Sequence, residues 1–570
     1  MKQTEGFCFA GSALSGDGGR EWWHDTIAYQ IYPKSFKDTN NDGIGDIRGI
    51  ISKLNYLKEL GINLIWLSPA YPSPLADEGY DISDYYGVDP RFGSLEDMDE
   101  LIAECGRRGI KLILDLVVNH CSDEHAWFQD VLRNPETSPY RDYFYIVDKP
   151  ADGSLPTNWR SFFGGSVWEP LGTSDQLYLH SFHKKQPDLN WENPKVREEV
   201  KKNIEWWLKR GIAGFRIDAI INIKKALPFK DYPVDGSDGL CELSNMLAEA
   251  DGIGTFLTEL REEVFKPHNA FTVGEVFQVG EERLPEWIGA EGYFSSMFDF
   301  NGHIFGGSDW RLKPRISAED YKECVFEAQQ AAGSACYLSN IIENHDEPRG
   351  VSYYLPEGEV NDVSKKMLAG LYFMLRGIPF IYQGQELGME NMPFESIDEI
   401  LDISSIDQYQ RAREAGLSDQ EALNVVKFFS RDNARTPMQW DDSKNAGFTE
   451  GKPWLAVNPN YKSINVKAQC SNPNSILGFY KQLIALRKDE ELKNTLVEGV
   501  TVPYLQEQKN LFAYQRVGEK CLCIAGNFQR EVQDMKVPAG MNKVLLSNYE
   551  GVTMSGDMIR LEGYQFVVLV

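Results

Sequence analysis

Residues 111–118 read Lys-Leu-Ile-Leu-Asp-Leu-Val-Val and run into Asn119 and His120. The run is almost entirely apolar, so neither side-chain face is meant for water. That is the pattern of a strand covered on both faces, as in a parallel sheet flanked by helices. Working outward, Leu95–Arg108 before it and Pro194–Lys209 after it are amphipathic and helical. Ile47–Leu60 is a further helix, ended by Gly61. Short apolar runs recur between the helices: Ile27–Tyr32, Asn63–Leu67, Gly214–Asp218, Phe271–Glu275, Met297–Phe300, Tyr337–Ile342 and Phe380–Tyr382. With 111–118 they make eight candidate strands. The alternation predicts an α/β (β/α)₈ barrel with its active site at the C-terminal ends of the strands.

Two stretches interrupt the rhythm. Residues 119–192 are rich in aromatics, Pro, Gly and Asn, and are expected to form an inserted loop domain after the third strand. Residues 386–445 form a second insertion, ahead of a last helix at Ile476–Lys488. The barrel then comprises 22–118 and 193–490, with 1–21 as a Gly/Ser-rich tail. From 491 to 570, short strands such as LFAYQRV and CLCIAGNF predict an all-β C-terminal domain, a sandwich.

Bulk properties narrow the function. A chain of 570 residues with 42% hydrophobic residues can bury a large core. The net charge of −27 repels nucleic acid and anionic membranes and suits a neutral substrate. Nine cysteines, odd in number and irregular in spacing, point to a reducing compartment, so the protein is expected in the cytoplasm. The apolar piece Phe7–Ala10 is too short for a signal peptide or a membrane span.

The barrel reading demands that chemically useful residues gather just after strands. His120 follows the third, Asp218 ends the fourth, Glu275 ends the fifth, and His345 and Asp346 follow the seventh. Cleaving a glycosidic bond with retention needs a nucleophilic carboxylate and a carboxylic acid, about 5–5.5 Å apart. Asp218 and Glu275, on adjacent strands, can stand at that separation. Arg216 lies two residues before Asp218, on the same face of the strand, and can keep its neighbour ionised.

The segments AYQIYPKSF, NNDGIGDIRGI, GYDISDYYGVDPRFG, LILDLVVNHCSDEHAWF, QPDLNWENP, GFRIDAI, FTVGEV, NHDEPR, IYQGQELGM and SRDNARTPMQW span about residues 22–445. In that order they resemble glycoside hydrolase family 13, the α-amylase family, and within it the oligo-1,6-glucosidase branch. The resemblance implies roles. Asp218 matches the nucleophile, Arg216 its partner, Glu275 the acid/base, and Asp346 the carboxylate that holds the sugar 2- and 3-hydroxyls. His120 and His345 match hydrogen-bond donors to glucose. Asp81 and Tyr80 match the end and wall of the glucose pocket, and Arg431 the arginine paired with that aspartate, Arg435 being the weaker candidate. A closed Asp–Arg end implies exo action. Trp159, Phe162, Phe163 and Trp168 are candidates to line the pocket. Branch members that prefer α-1,6 bonds carry Val after the nucleophile and those that prefer α-1,4 carry Thr. Ala219 lacks the hydroxyl and sides with α-1,6.

The segment Asp38-Thr-Asn40-Asn-Asp42-Gly-Ile44-Gly-Asp46 alternates oxygen-bearing side chains around Gly43. Hard cations such as Ca²⁺ take six to eight oxygen ligands, backbone carbonyls included. The segment matches a structural calcium loop found in some members of the branch. Asp38, Asn40, Asp42, Ile44 and Asp46 are the expected ligands, and no organic cofactor is implied. The expected activity is that of a retaining exo-α-glucosidase on short oligosaccharides. Sucrose isomerases, to whose arginine-rich loop Arg311–Arg315 is a partial match, and trehalose-6-phosphate hydrolases are the competing readings. A non-catalytic relative is disfavoured because the carboxylates are present.

Overall fold

The computed structural model describes residues 20–570 except Ser237, Gln278 and residues 300–315. Residues 1–19 of the expected tail, Phe300 at the end of the sixth predicted strand, and the Arg311–Arg315 segment lie outside the described residues.

Eight parallel strands close into a barrel. They are β1 (Ala28–Ile31), β2 (Leu64–Leu67), β3 (Lys111–Val117), β4 (Gly214–Asp218), β5 (Phe271–Gly274), β6 (Ser296–Phe298), β7 (Leu338–Asn340) and β8 (Ile378–Tyr382). Each pairs with its sequence neighbour, and Ala28 against Phe380 joins β1 to β8. The outer helices are α1 (Ile47–Leu60), α2 (Leu95–Arg107), α3 (Pro194–Arg210), α4 (Ile253–Leu260), α5 (Leu284–Ile288), α6 (Ala318–Ala332), α7 (Asp362–Phe373) and α8 (Ile476–Lys488).

Local chemistry sets the helix ends. The Asp46 side chain accepts the Gly49 N–H at the start of α1, and Gly61 closes that helix at φ 104°, a left-handed geometry that glycine enters freely. Ser94 and Asp97 form a capping box on α2.

Two-residue alternation divides each strand between two cores. Ala28, Leu64, Trp66, Ile113, Phe271, Val273, Phe298 and Phe380 fill the lower barrel. Tyr29, Ile65, Leu114, Phe215 and Ile217 pack outward in the larger core that the helices share. One step up, the inward positions turn polar: Gln30, Asp115, Arg216 and Asp218 are all buried.

The 119–192 insertion contains a three-stranded sheet of Ile146–Asp148, Gln176–Leu179 and Trp168–Pro170. Trp159–Arg160 pairs instead with Cys241–Glu242, from the loop after β4. Phe229, Tyr232, Leu243 and Met246 of that loop share the core of the insertion. The inserted unit is therefore built from two stretches of chain. Trp159 and Trp168 belong to its core and are 0% and 3% exposed, so they line no sugar pocket.

The C-terminal region holds a five-stranded and a three-stranded sheet. Leu511, Ala513, Cys523, Met535, Ile559 and Val567 fill the space between them. The opposite face, through Phe512, Tyr514, Ile524 and Phe566, joins the main core. Tyr514 Oη donates to Leu371 O at 2.6 Å, and Arg516 Nη1 to Met374 O at 2.6 Å. Among the described residues, no disulfide joins any two of the eight cysteines. Among the described residues no helix is long and apolar enough to cross a membrane.

Candidate active site

The register of β3, β4 and β5 assembles the centre of the site. Asp115 lies opposite Arg216 across β3 and β4, and Gly274 lies opposite Ile217 across β4 and β5. The residue after Gly274 is Glu275, whose backbone N–H donates to Ile217 O at 3.0 Å. Asp218 and Glu275 thus emerge side by side.

One guanidinium binds three carboxylates. Arg216 Nη1 is 2.8 Å from Asp115 Oδ1 and 2.6 Å from Asp218 Oδ1, and its Nη2 is 2.7 Å from Glu275 Oε1. Glu275 Oε2 also accepts the Ala219 N–H at 2.8 Å. Ala219 sits at φ 43°, ψ 34°, a left-handed conformation uncommon for a residue with a Cβ. That geometry turns its N–H toward Glu275.

Accessibility separates Asp115 from the other three acids. Asp115 and Arg216 side chains are 0% and 1% exposed, whereas Asp218, Glu275 and Asp346 keep 11%, 9% and 22%. Only the last three can touch a ligand; Asp115 supports Arg216. Burial pushes Asp218 up to about 7, with Arg216 opposing and Asp115 and Asp346 adding to the rise. Burial also pushes Glu275 up to about 7, against the pull of Arg216. The electrostatics therefore favour a single proton shared by this pair near neutrality.

Asp346 has the opposite environment. Burial raises it, but His345, Arg435 and Arg431 together hold its carboxyl well below the usual carboxylate range. His345 Nε2 is 3.0 Å from Asp346 Oδ2, and Arg435 Nη2 and Arg431 Nη1 are 2.7 and 3.3 Å from Oδ1. Arg435 Nε also donates to His345 O at 2.9 Å. Arg435, the weaker candidate to pair with Asp81, instead contacts Asp346, and more closely than Arg431 does.

The expected pairing of Arg431 with Asp81 is corrected. Arg431 Nη2 lies 3.3 Å from Asp77 Oδ1, and its Nε 2.8 Å from Asp402 Oδ1. Asp81 is fully buried and faces its own loop, accepting Ser73 Oγ (2.8 Å), Ala76 N (2.8 Å) and Asp77 N (3.1 Å). It organises the turn that presents Asp77. Both acids lie within one short loop, and only the fold distinguishes the one that points inward.

Tyr80 and His120 stand beside this group. The Tyr80 hydroxyl donates to Asp115 Oδ2 at 3.0 Å. His120 Nε2 is 2.9 Å from Tyr80 O and 3.1 Å from Gln186 Nε2, and Gln186 donates to Asp77 Oδ2 at 3.1 Å. Burial holds His120 and His345 below the ordinary histidine range, so both rings are neutral at working pH. The Phe163 ring lies 5.3 Å from the Arg431 guanidinium, and Phe182 packs between Phe162 (5.0 Å) and His120 (5.2 Å). Of the four aromatics named from the sequence, Phe163 is the one that reaches the Arg431 group. Behind His120, the buried pair Lys225 and Asp188 (2.8 Å) and the Lys225–Asn119 contact (3.0 Å) tie the insertion to the end of β3.

The Asp38–Asp46 loop lies at the N-terminus of α1. Asp38 accepts the N–H groups of Asn40 (2.9 Å), Asn41 (2.7 Å) and Gly43 (2.8 Å), and Asp42 that of Ile44 (2.8 Å). Asp46 accepts Thr39 N at 2.7 Å as well as its helix cap. Gly43, at φ 91°, makes the turn. The donor set of Asp38, Asn40, Asp42, Asp46 and the Ile44 carbonyl is all oxygen, the chemistry a hard cation takes. Among the described residues, no three or more His, Cys, Asp and Glu side chains gather as a metal cluster.

A sequence profile of the α-amylase catalytic domain matches residues 30–498. The chain belongs to the α-amylase family. It is a glycoside hydrolase. An oligo-1,6-glucosidase of Halalkalibacterium halodurans is 43% identical over 542 residues, covering 93% of this chain and 95% of that one. An oligo-1,6-glucosidase of Parageobacillus thermoglucosidasius is 42% identical over 541 residues, covering 93% and 95%. Among solved structures, the isomaltulose synthase SmuA of Protaminobacter rubrum superposes with TM-score 0.91 at 36% identity, covering 97% of this chain and 100% of that one. A mutant trehalose-6-phosphate hydrolase of Bacillus licheniformis superposes with TM-score 0.88 at 38% identity, covering 96% and 99%. The α-amylase family places its catalysis on this barrel, and the cluster around Arg216 occupies the end of the barrel where the fold puts active sites.

Proposed function

We propose that this α-amylase family member is a retaining, exo-acting α-glucosidase that removes glucose from short oligosaccharides, with a preference for α-1,6 bonds. The observation that carries the reading is the Arg216 bridge. A single guanidinium binds Asp218 and Glu275, and Glu275 also holds the N–H of the residue following Asp218. Two carboxyls so close suit a nucleophile and acid/base pair, for which about 5–5.5 Å is required.

In the first step Asp218 attacks the anomeric carbon while Glu275 gives its proton to the leaving oxygen. The bond to the aglycone breaks and a glycosyl–Asp218 ester forms. In the second step the Glu275 carboxylate takes a proton from water, and that oxygen attacks the same carbon and releases Asp218. Arg216 keeps Asp218 anionic when the shared proton sits on Glu275. Asp346, held ionised by two arginines, would accept the sugar hydroxyls. Asp77 and Arg431 would close the far end of the glucose pocket, which supports exo action. Two inverting displacements leave the product with the starting configuration.

The linkage preference is supported by Ala219 and by the oligo-1,6-glucosidase relatives. We also propose a structural calcium ion on the Asp38–Asp46 loop, where it would tie together the oxygens of a loop that adds no residue to the carboxylate cluster around Arg216. A cytoplasmic setting fits the lack of disulfides among the described cysteines. A panel of isomaltose, panose, maltose, sucrose, trehalose and trehalose 6-phosphate tests the substrate. The highest kcat/KM is expected on isomaltose or panose, with Ala219→Thr moving the ratio toward maltose. Small side-chain changes discriminate by about 1–3 kcal/mol, so the preference should be graded. Wild type favouring maltose, or the trehalose phosphate, by about tenfold would overturn the linkage assignment.

A further inference from the structure

Gln30 is a buried amide on β1 that the chemistry above does not use. Its Nε2 is 3.0 Å from Ser68 Oγ and 2.8 Å from His345 Nδ1. On the other side of the ring, His345 Nε2 meets the Tyr80 hydroxyl and lies 3.0 Å from Asp346 Oδ2. The Tyr80 hydroxyl in turn lies 3.0 Å from Asp115 Oδ2.

The directions of these bonds determine one another. Guanidinium and indole groups only donate, so Asp115 accepts from Arg216 at 2.8 Å and from Trp66 Nε1 at 3.1 Å. As a carboxylate it also takes the one O–H of Tyr80. The Tyr80 oxygen can then only accept from the histidine. His345 Nε2 must carry a hydrogen, and in a neutral imidazole Nδ1 is then bare. A bare Nδ1 is what the Gln30 amide hydrogen needs.

We propose that Gln30 is a positioning residue that fixes His345 in the tautomer with Nδ1 bare and Nε2 protonated, so that the Nε2–H stays aimed at Tyr80 and Asp346. The opposite tautomer would put a lone pair against the Asp346 carboxylate. The other groups facing the ring are Tyr32 (6.0 Å, stacked) and Trp66 (5.8 Å, edge-on), with the Arg216 and Arg435 guanidiniums nearby. Burial and the two guanidiniums oppose a second proton on the ring, and Asp346 favours one. Gln30 adds a donor on the side where that second proton would go.

The inference deepens the proposed function, and only its activity readout rests on that function. The test is imidazole-nitrogen NMR on the full chain labelled with ¹⁵N-histidine, without substrate, using His345→Asn to assign the signal. Wild type is expected to show a bare Nδ1 and a protonated Nε2 throughout the neutral range. Gln30→Met, which has no amide hydrogen, should give a tautomer mixture, and kcat/KM should drop about tenfold, the worth of one hydrogen bond. Gln30→Glu places an acceptor at Nδ1 and should give the doubly protonated ring. A protonated Nδ1 in wild type, or a tautomer unmoved in both variants, overturns the proposal. If Gln30→Met does not fold, the wild-type spectrum and Gln30→Glu still decide. The expected tautomer without α-glucosidase activity would refute the function and leave the tautomer assignment standing.

Discussion

Asp77→Asn and Asp81→Asn form a matched pair whose outcomes should diverge. Asp77 Oδ1 meets Arg431 and Oδ2 meets Gln186, which leaves two of the roughly four acceptor sites of a carboxylate free. Arg431 stays anchored by Asp402 and Asp346 when Asp77 changes. Asp77→Asn should therefore keep the fold and weaken hydroxyl binding. Two charge-assisted hydrogen bonds, at about 1.5–3 kcal/mol each, correspond to a loss of about a hundredfold or more in kcat/KM. Asp81 has both oxygens engaged by three donors. An amide there must turn an N–H toward a backbone N–H, at a stability cost of about 1–3 kcal/mol. Asp81→Asn should lower the melting temperature first and affect activity only through its loop. Kinetics on isomaltose and thermal melts of both variants decide the matter. If Asp81→Asn loses a hundredfold in kcat/KM with an unchanged melt while Asp77→Asn stays near wild type, the assignment of the pocket end is wrong.

Two other outcomes are expected. The pH dependence of kcat/KM should be bell-shaped and centred near neutrality. Raising the pH strips the proton from Glu275 and lowering it adds one to Asp218, both pushed up to about 7, so activity falls on either side. A profile flat for about two units above pH 7 would contradict this. Excess EDTA should lower the melting temperature, and added Ca²⁺ restore it, with kcat little changed, because a ligand at a hundred times its Kd stabilises by about 2.7 kcal/mol. An unchanged melt with no metal detected by elemental analysis would remove calcium from the account.

The barrel was legible because its strands are short, apolar and regularly spaced between amphipathic helices. Gly214–Asp218 and Ile47–Leu60 fall where the sequence places them. Strand ends moved by a residue or two elsewhere, as at β6, which begins at Ser296 and not Met297. Apolar runs do not mark where pairing stops. The strand-end carboxylates were legible because register is local: Arg216 and Asp218 share a face by period two. Contacts between distant segments were not legible. Asp115 reads as one acid inside an apolar strand until β4 brings Arg216 beside it. Arg435, Gln186 and Gln30 gain meaning only through partners 89, 109 and 315 residues away. The loop after β4 gave no sign that it would complete the insertion, because its pairing with Trp159–Arg160 involves only two residues a side.

The central claim is that Asp218 and Glu275 act as nucleophile and acid/base of a retaining enzyme. It is tested most directly by proton NMR of the first glucose released from isomaltose by wild-type enzyme, recorded before mutarotation. The account predicts α-glucose as the initial product, with the β anomer appearing only at the rate of spontaneous mutarotation. β-Glucose as the first product would mean a single inverting displacement, and the roles assigned to both carboxylates would be wrong.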